Sequence, residues 1–397
     1  MAEAPVPFAA RTAHLRSSAI RDLLELTQRP GVISLAGGLP SPESFPTDRI
    51  AAVTARLLRE RPNDLLQYST TEGHPDLRAW IAERASAERG RPVAADEVLI
   101  THGSQQALDL IAKVLVDPGG LVAIDEPGYV GAIQALSLFE PEFLPIPIDH
   151  EGIRVDLLEE RLAAGARPCL LYTVVNFQNP TGATLTPARR ARLAQLAEQY
   201  GFIVVEDDPY SALRFAGEAV PSVAQWTDHV VALGTFSKLV VPGLRVGWMV
   251  APPWLRPMLV RAKQGADLHT SSWGQALLAE IVTEKSWLAD HTEALVRIYG
   301  NRMRALADGL AAELDGRLVF NRPEGGMFLW ASITTGHDAN DLFRAAVRHD
   351  VAFVPGEAFF SAEPDRSTLR LSYSVATPEL LAEGARRLAR AFDDLEV

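Results

Sequence analysis

The chain has 397 residues, of which 47% are hydrophobic and 22% charged, and its formal net charge is −12. That length exceeds one ordinary core and points to two domains, while the acidic balance speaks against nucleic acid, which basic patches usually bind. The single cysteine, Cys169, excludes an intrachain disulfide framework and a cysteine-rich metal site, and reads as a small buried hydrophobe beside a strand.

No apolar run of signal-peptide length opens the sequence, and none approaches the roughly eighteen residues that a membrane helix needs. The expectation is a cytoplasmic protein with no membrane, nucleic-acid or metal partner. HExxH and P-loop motifs, internal repeats and low-complexity tracts are absent from the sequence.

In chain order, Ser17 or Ser18 can cap a helix, IRDLLELTQ, that ends at Pro30-Gly31. SLAGGLPSPESFP follows, rich in Gly and Pro, and reads as an irregular segment whose glycines permit close backbone approach. From about Asp96 strand and helix alternate: EVLIT, the helix SQQALDLIAKVLV, LVAID and CLLYTVV. A helix then opens at Thr186-Pro187 and closes at Gly201, before the buried strands FIVVEDD and HVVALG. Strands apolar throughout, with helices between them, predict an α/β fold with a mostly parallel sheet between helices. After about Gly274 the texture turns to long helices through Leu314, then to short strands (RLVF, MFLWAS, VAFV, LRLSYS) mixed with helices. That predicts a smaller α+β domain. The division read from the sequence is an N-terminal segment, 1–45, joining the small domain; a large domain, 46–280; and a C-terminal small domain, 281–397.

In an open α/β sheet, ligands sit at the carboxyl ends of the strands. After EVLIT comes His102-Gly103-Ser104-Gln105, a glycine turn into a helix N-terminus that suits a phosphate. After LVAID comes EPGY with Tyr129, and after CLLYTVV comes NFQNPTG with Asn179. After FIVVE come Asp207, Asp208, Pro209 and Tyr210, and after HVVALG come Thr235, Ser237 and Lys238, with Arg245 seven residues on. Taken singly, each has an ordinary explanation: a helix cap, a turn, a loop carboxylate, a surface lysine. Jointly, a phosphate cradle, an aromatic, an amide, a carboxylate, a phenol, a lysine and an arginine are what pyridoxal 5′-phosphate requires.

These motifs, with SLAGGLPSPESFP, QYSTTEGHPDLR, TFSKLVVPGLRVGW, PEGGMFLW and VPGEAFF in the same order, resemble the fold-type I, class I/II aminotransferases over nearly the whole chain. The 2-aminoadipate and kynurenine aminotransferase group is the most similar. The resemblance implies that Lys238 forms the internal aldimine with pyridoxal 5′-phosphate, and that Asp207 holds the ring nitrogen protonated. It implies that Tyr210 and Asn179 bond the ring 3′-oxygen and that Tyr129 stacks on the ring. Ser104, Gln105, Thr235, Ser237 and Arg245 would bind the phosphate, joined by Tyr68 from the partner subunit of a homodimer with shared active sites. Arg370 would clamp the substrate α-carboxylate, with Asn179 and Gly38 beside the substrate. Arg21, in a helix that closes over the site, would meet a distal carboxylate. The implied reaction moves an amino group from an L-amino acid to a 2-oxo acid, commonly 2-oxoglutarate. The same constellation also serves eliminases, cyclases and oxidases, which product analysis separates, because fold alone does not fix function. Transcription regulators with an aminotransferase-like domain behind a helix-turn-helix are the other class, but here the motifs begin by about Gly37 and leave no room for one.

Overall fold

The β-sheet strands are apolar on both faces, and the computed structural model covers both faces with helices. It describes residues 6–14, 29 and 31–396. The predicted first helix, its Ser17 or Ser18 cap and Arg21 lie outside the described residues. The large sheet has eight strands in the order β2-β9-β8-β7-β6-β3-β4-β5. They are β2 (Val98–Thr101), β3 (Leu121–Glu126), β4 (Glu142–Asp149), β5 (Gly152–Ile153), β6 (Leu170–Val174), β7 (Ile203–Asp207), β8 (Val230–Thr235) and β9 (Gly247–Val250). From β8 through β7, β6 and β3 to β4 every pairing is parallel, and β9 runs antiparallel to both β2 and β8.

Alternation within the strands divides the core in two. Ile124, Tyr172, Val174 and Val205 pack on the side of helices Ser104–Leu115 and Val130–Ser137. Ala123, Leu171, Val175 and Val204 pack on the side of helices Val155–Ala163 and Pro187–Tyr200. The latter helix starts and stops where Thr186-Pro187 and Gly201 predict. Gly201 takes a left-handed φ of 76°, whereas the Thr186 side chain makes no capping hydrogen bond.

Three strands of this sheet were not legible in the sequence, β4, β9 and the two-residue β5. β4 reads EFLPIPID, and prolines argue against a central strand. Pro145 and Pro147 alternate, and the Pro147 carbonyl accepts from Arg154 N–H on the side away from β3. Both missing N–H groups therefore face the sparsely paired edge, where nothing is lost. β9 is four residues long and follows PGLR without a helix between, so no helix-to-strand alternation announces it.

The second sheet is antiparallel, in the order β10-β11-β14-β13, from β10 (Leu318–Phe320), β11 (Phe328–Ile333), β13 (Val354–Pro355) and β14 (Thr368–Ser372). Helices Lys285–Glu313, Ala339–Arg348 and Pro378–Asp393 supply its apolar cover. β1 (Ile33–Ser34) pairs in parallel with β12 (Val351–Ala352), which fastens the incoming chain to this part of the molecule. From Leu35 to Leu39 the backbone is irregular, and an added Cβ on Gly38 would meet the Phe328 ring at 2.9 Å. Among the described residues, no helix is long and apolar enough to cross a membrane.

Candidate active site

The carboxyl ends of the parallel strands and β14 of the small sheet converge on a cavity of roughly 440 Å³. Of the residues singled out from the sequence, Gly38, Ser104, Gln105, Tyr129, Asn179, Asp207, Tyr210, Thr235, Ser237, Lys238, Arg245 and Arg370 all line it. Tyr68 does not. Its side chain is 79% exposed, with its ring edge-on to His269 at 5.9 Å. Arg21 is outside the described residues.

At one end, Gly103 (φ 76°) turns β2 into helix Ser104–Leu115, whose first-turn N–H groups have no helical partner. A Cβ at Gly103 would meet Arg245 Nη2 at 2.8 Å, so glycine is what lets the guanidinium lie over the helix N-terminus. Ser104 Oγ is buried there without a partner. Gln105 differs from a simple phosphate ligand, because its side-chain amide donates to the Gly131 carbonyl at 2.8 Å and leaves the backbone N–H as its free donor. Thr235 Oγ1 accepts from Ser237 N–H at 3.1 Å, which folds the turn before Lys238.

At the other end, Asp207 is 3% exposed. Tyr172, a residue sequence reasoning did not select, donates its phenol to Asp207 Oδ2 at 2.8 Å, and Oδ1 is buried without a partner. Burial pushes the Asp207 carboxyl up to about 7, and Asp208 adds to this against the lowering effect of the Tyr172 hydrogen bond. A cation beside Oδ1 would reverse that shift.

Arg370 comes from β14 and is 2% exposed. It donates to Asn179 Oδ1 at 2.9 Å and to the Ala36 carbonyl at 2.8 Å, and its Nε is buried without a partner. The guanidinium carbon lies 4.2 Å from the Phe328 ring centroid and 4.8 Å from that of Phe359, which fixes its plane. Burial lowers its pKa to about 10, with Tyr210 and Tyr129 opposing.

Between these ends, Lys238 Nζ donates to the Gly38 carbonyl at 3.0 Å. Burial lowers its pKa to about 8, helped by the positive charges of Arg245 and Arg370. About a tenth of the amine is therefore neutral at pH 7, far more than for an ordinary lysine. The apoprotein should take up pyridoxal 5′-phosphate covalently at a rate that rises about tenfold per pH unit below pH 8 and levels off above it, since only the neutral amine attacks a carbonyl. Stopped-flow absorbance measures this; a rise that continues unbroken to pH 10 would mean an unperturbed amine.

Buried groups left without partners distinguish this cavity from another of roughly 310 Å³ on the opposite face of the sheet. That one holds Arg190 and Glu206, but both are committed. Arg190 bonds the Leu185 and Val175 carbonyls and Asn176, and Glu206 accepts from Ser222 at 2.6 Å. In the first cavity Ser104 Oγ, Asp207 Oδ1 and Arg370 Nε lack partners. A donor cradle at one end, a carboxylate oxygen at the other and an amine between them fit the phosphate, pyridine nitrogen and aldehyde of pyridoxal 5′-phosphate.

The loop carrying Asn179 is braced by two residues that the sequence did not reveal. Gln178 donates to the Pro127 carbonyl at 2.9 Å and accepts from Thr181 N–H and Oγ at 2.9 and 2.7 Å. Asn321, from the small sheet, donates to the Thr181 carbonyl at 2.5 Å and accepts from Trp330 N–H at 3.0 Å. Asn321→Ala should cost about 1–3 kcal/mol, because it strands partly buried polar groups on both sides. Urea unfolding measures it, and a loss under about 0.5 kcal/mol would mean that water replaces the amide.

Comparison with known proteins bears on the same region. The family model for aminotransferase class I and II matches residues 31–388. A 2-aminoadipate transaminase of Thermus thermophilus is 44% identical over 98% of this chain and 97% of its own length. Aromatic-amino-acid aminotransferase 1 of Thermococcus litoralis is 40% identical over 98% of this chain and 94% of its own. The solved structure of LysN, an α-aminoadipate aminotransferase of Thermus thermophilus complexed with N-(5′-phosphopyridoxyl)-L-leucine, superposes with a TM-score of 0.91 at 43% identity and covers 98% of both chains.

Proposed function

The chain belongs to the class I and II aminotransferases, and we propose from that premise which residues carry its reaction and which amino acids it accepts. It is a pyridoxal-phosphate-dependent aminotransferase that moves an amino group from an amino acid to a 2-oxo acid; the eliminase, cyclase or oxidase reading is not favoured. One observation carries the assignment of roles: the partly buried amine of Lys238 stands in one cavity with Asp207, Arg245 and Arg370.

Bound pyridoxal 5′-phosphate supplies a carbonyl carbon that takes up the amine and a pyridine ring that draws electrons from the substrate α-carbon. Arg245, Ser104, Thr235, Ser237 and the backbone N–H of Gln105 would hold the phosphate. Asp207 Oδ1 would meet the ring nitrogen, Asn179 and Tyr210 would bond the 3′-oxygen, and Tyr129 would cover the ring. Arg370 grips the α-carboxylate with its free donors, a planar fork matched to two oxygens, and so sets the α-hydrogen toward Lys238. Lys238 Nζ, standing beside that hydrogen, would take the α-proton as base and give it back as acid. Its lowered pKa keeps enough of the amine neutral to do so. Gly38, Leu39 and Phe328 also line the cavity.

The cationic side chains lining the cavity are Lys238, Arg245 and Arg370, each already assigned. Leu39, Pro40 and Phe328 remain for the substrate side chain. This favours apolar and aromatic amino acids on the described residues alone, with Arg21 as the partner for a distal carboxylate when the substrate is acidic. The test is kcat/KM for glutamate, 2-aminoadipate, leucine and an aromatic amino acid, with 2-oxoglutarate as acceptor, in the parent and in Arg21→Ala. Selective loss with the two dicarboxylic donors supports the role; an equal effect on all four removes it.

A homodimer completes the reading. Tyr68, exposed on its own protomer among Leu66, Leu268 and Trp273, which are also exposed, is proposed to reach the phosphate of its partner's site. Light scattering gives the mass, and mixing Tyr68→Phe with Lys238→Ala protein would regain one intact site per hybrid dimer.

A further inference from the structure

Tyr172 is fully buried in β6, a strand otherwise aliphatic apart from Thr173. β6 pairs in parallel with β7, Val174 opposite Asp207 and Tyr172 opposite Val205. Tyr172 thus lies on the same sheet face as Asp207, one diagonal step away, a separation that long side chains bridge. Its phenol reaches Asp207 Oδ2 at 2.8 Å, and Oδ1 of the same carboxylate is buried without a partner while Asp207 lines the cavity.

A leucine would fill the core at this position with no hydroxyl to satisfy. Placing that hydroxyl on the carboxylate that lines the cavity has two consequences. It fixes the carboxylate plane, so that one oxygen is engaged behind and the other is left in front. It also favours the anion in surroundings where burial favours the neutral acid.

We propose that Tyr172 is a positioning residue for the cofactor: its hydroxyl holds Asp207 so that Oδ1 is presented, as a carboxylate, to the pyridine nitrogen. This rests on the reading above that Asp207 meets that nitrogen. Tyr172 is not among the residues that line the cavity, and its effect is transmitted through one hydrogen bond.

The test uses the full-length apoprotein and two ligands: pyridoxal 5′-phosphate and its 1-deaza analogue, in which carbon replaces the ring nitrogen. Each is titrated at equilibrium by absorbance. The parent protein should prefer the natural ligand. Tyr172→Phe removes one atom and keeps the ring's packing. It should weaken pyridoxal 5′-phosphate about ten- to a hundredfold, as expected for a hydrogen bond to a charged group, and leave the analogue within about twofold. In an Asp207→Asn background, adding Tyr172→Phe should change the preference no further. Equal weakening of both ligands would mark Tyr172 as a packing residue and overturn the proposal. A preference lost in Asp207→Asn but kept in Tyr172→Phe would overturn this inference alone. A preference unchanged in Asp207→Asn would overturn the parent reading of Asp207.

Discussion

Lys238→Ala should bind pyridoxal 5′-phosphate without attaching it, and transamination should fall by several orders of magnitude. The sequence offers three other lysines, Lys113, Lys263 and Lys285. Each is already held in an ion pair: Lys113 with Asp109 at 3.1 Å, Lys263 with Asp267 at 2.7 Å and Lys285 with Glu83 at 3.0 Å. Lys238 alone among the four donates into the cavity, to the Gly38 carbonyl. Its low pKa follows from the same placement, since burial and two neighbouring guanidinium groups disfavour the ammonium form. Alanine removes both the attacking amine and the proton carrier, and no other described lysine stands at the cavity to replace either. Borohydride reduction followed by peptide mapping checks the outcome. A cofactor still reducibly attached to the variant would move the role to another lysine.

Asp207→Asn should retain the cofactor at reduced affinity and lose about a hundredfold or more in turnover, the usual consequence of removing an electrostatic partner of charge that develops in the transition state. The amide has nearly the carboxylate's shape, so packing against Tyr172 survives and the loss reports charge. Asp208, the adjacent residue, is no substitute. It lines the cavity on the opposite face of the sheet, with one oxygen taken by Ser211 N–H at 3.0 Å. Turnover near the parent value would mean that another acid faces the ring.

Much of the fold was legible because burial writes itself into periodicity. Runs such as LVAID and FIVVE have to be covered on both faces, and the helix before FIVVE opens at Pro187 and stops at Gly201. The short β9 and the proline-bearing β4 were hidden for a physical reason. β9 owes its place partly to β2, far earlier in the chain, and the prolines of β4 are tolerated only because their missing N–H groups face an edge.

The candidate site was legible for a related reason. Residues such as Lys238, Asp207 and Asn179 stand at the ends of strands or a few residues beyond, and the strands' common direction gathers them at one edge. The bracing residues were not. Tyr172 sits inside a strand and reads as core. Gln178 lies in the NPTG loop yet serves by bonding backbone, and Asn321 comes from the other sheet, 140 residues from its Thr181 partner. Nothing local distinguishes them, since their role is a hydrogen bond made only after folding. Gln105 lines the cavity but holds Gly131 with its side chain, a contact that spacing does not reveal.

The most direct test of the account is a half-reaction. Protein loaded with pyridoxal 5′-phosphate is mixed with leucine or 2-aminoadipate, without any 2-oxo acid. The expected result is one equivalent of the corresponding 2-oxo acid per site, after which the reaction stops with the amino group on the cofactor, and 2-oxoglutarate restarts it with stoichiometric formation of glutamate. Continued turnover without an acceptor, with release of ammonia, would contradict it.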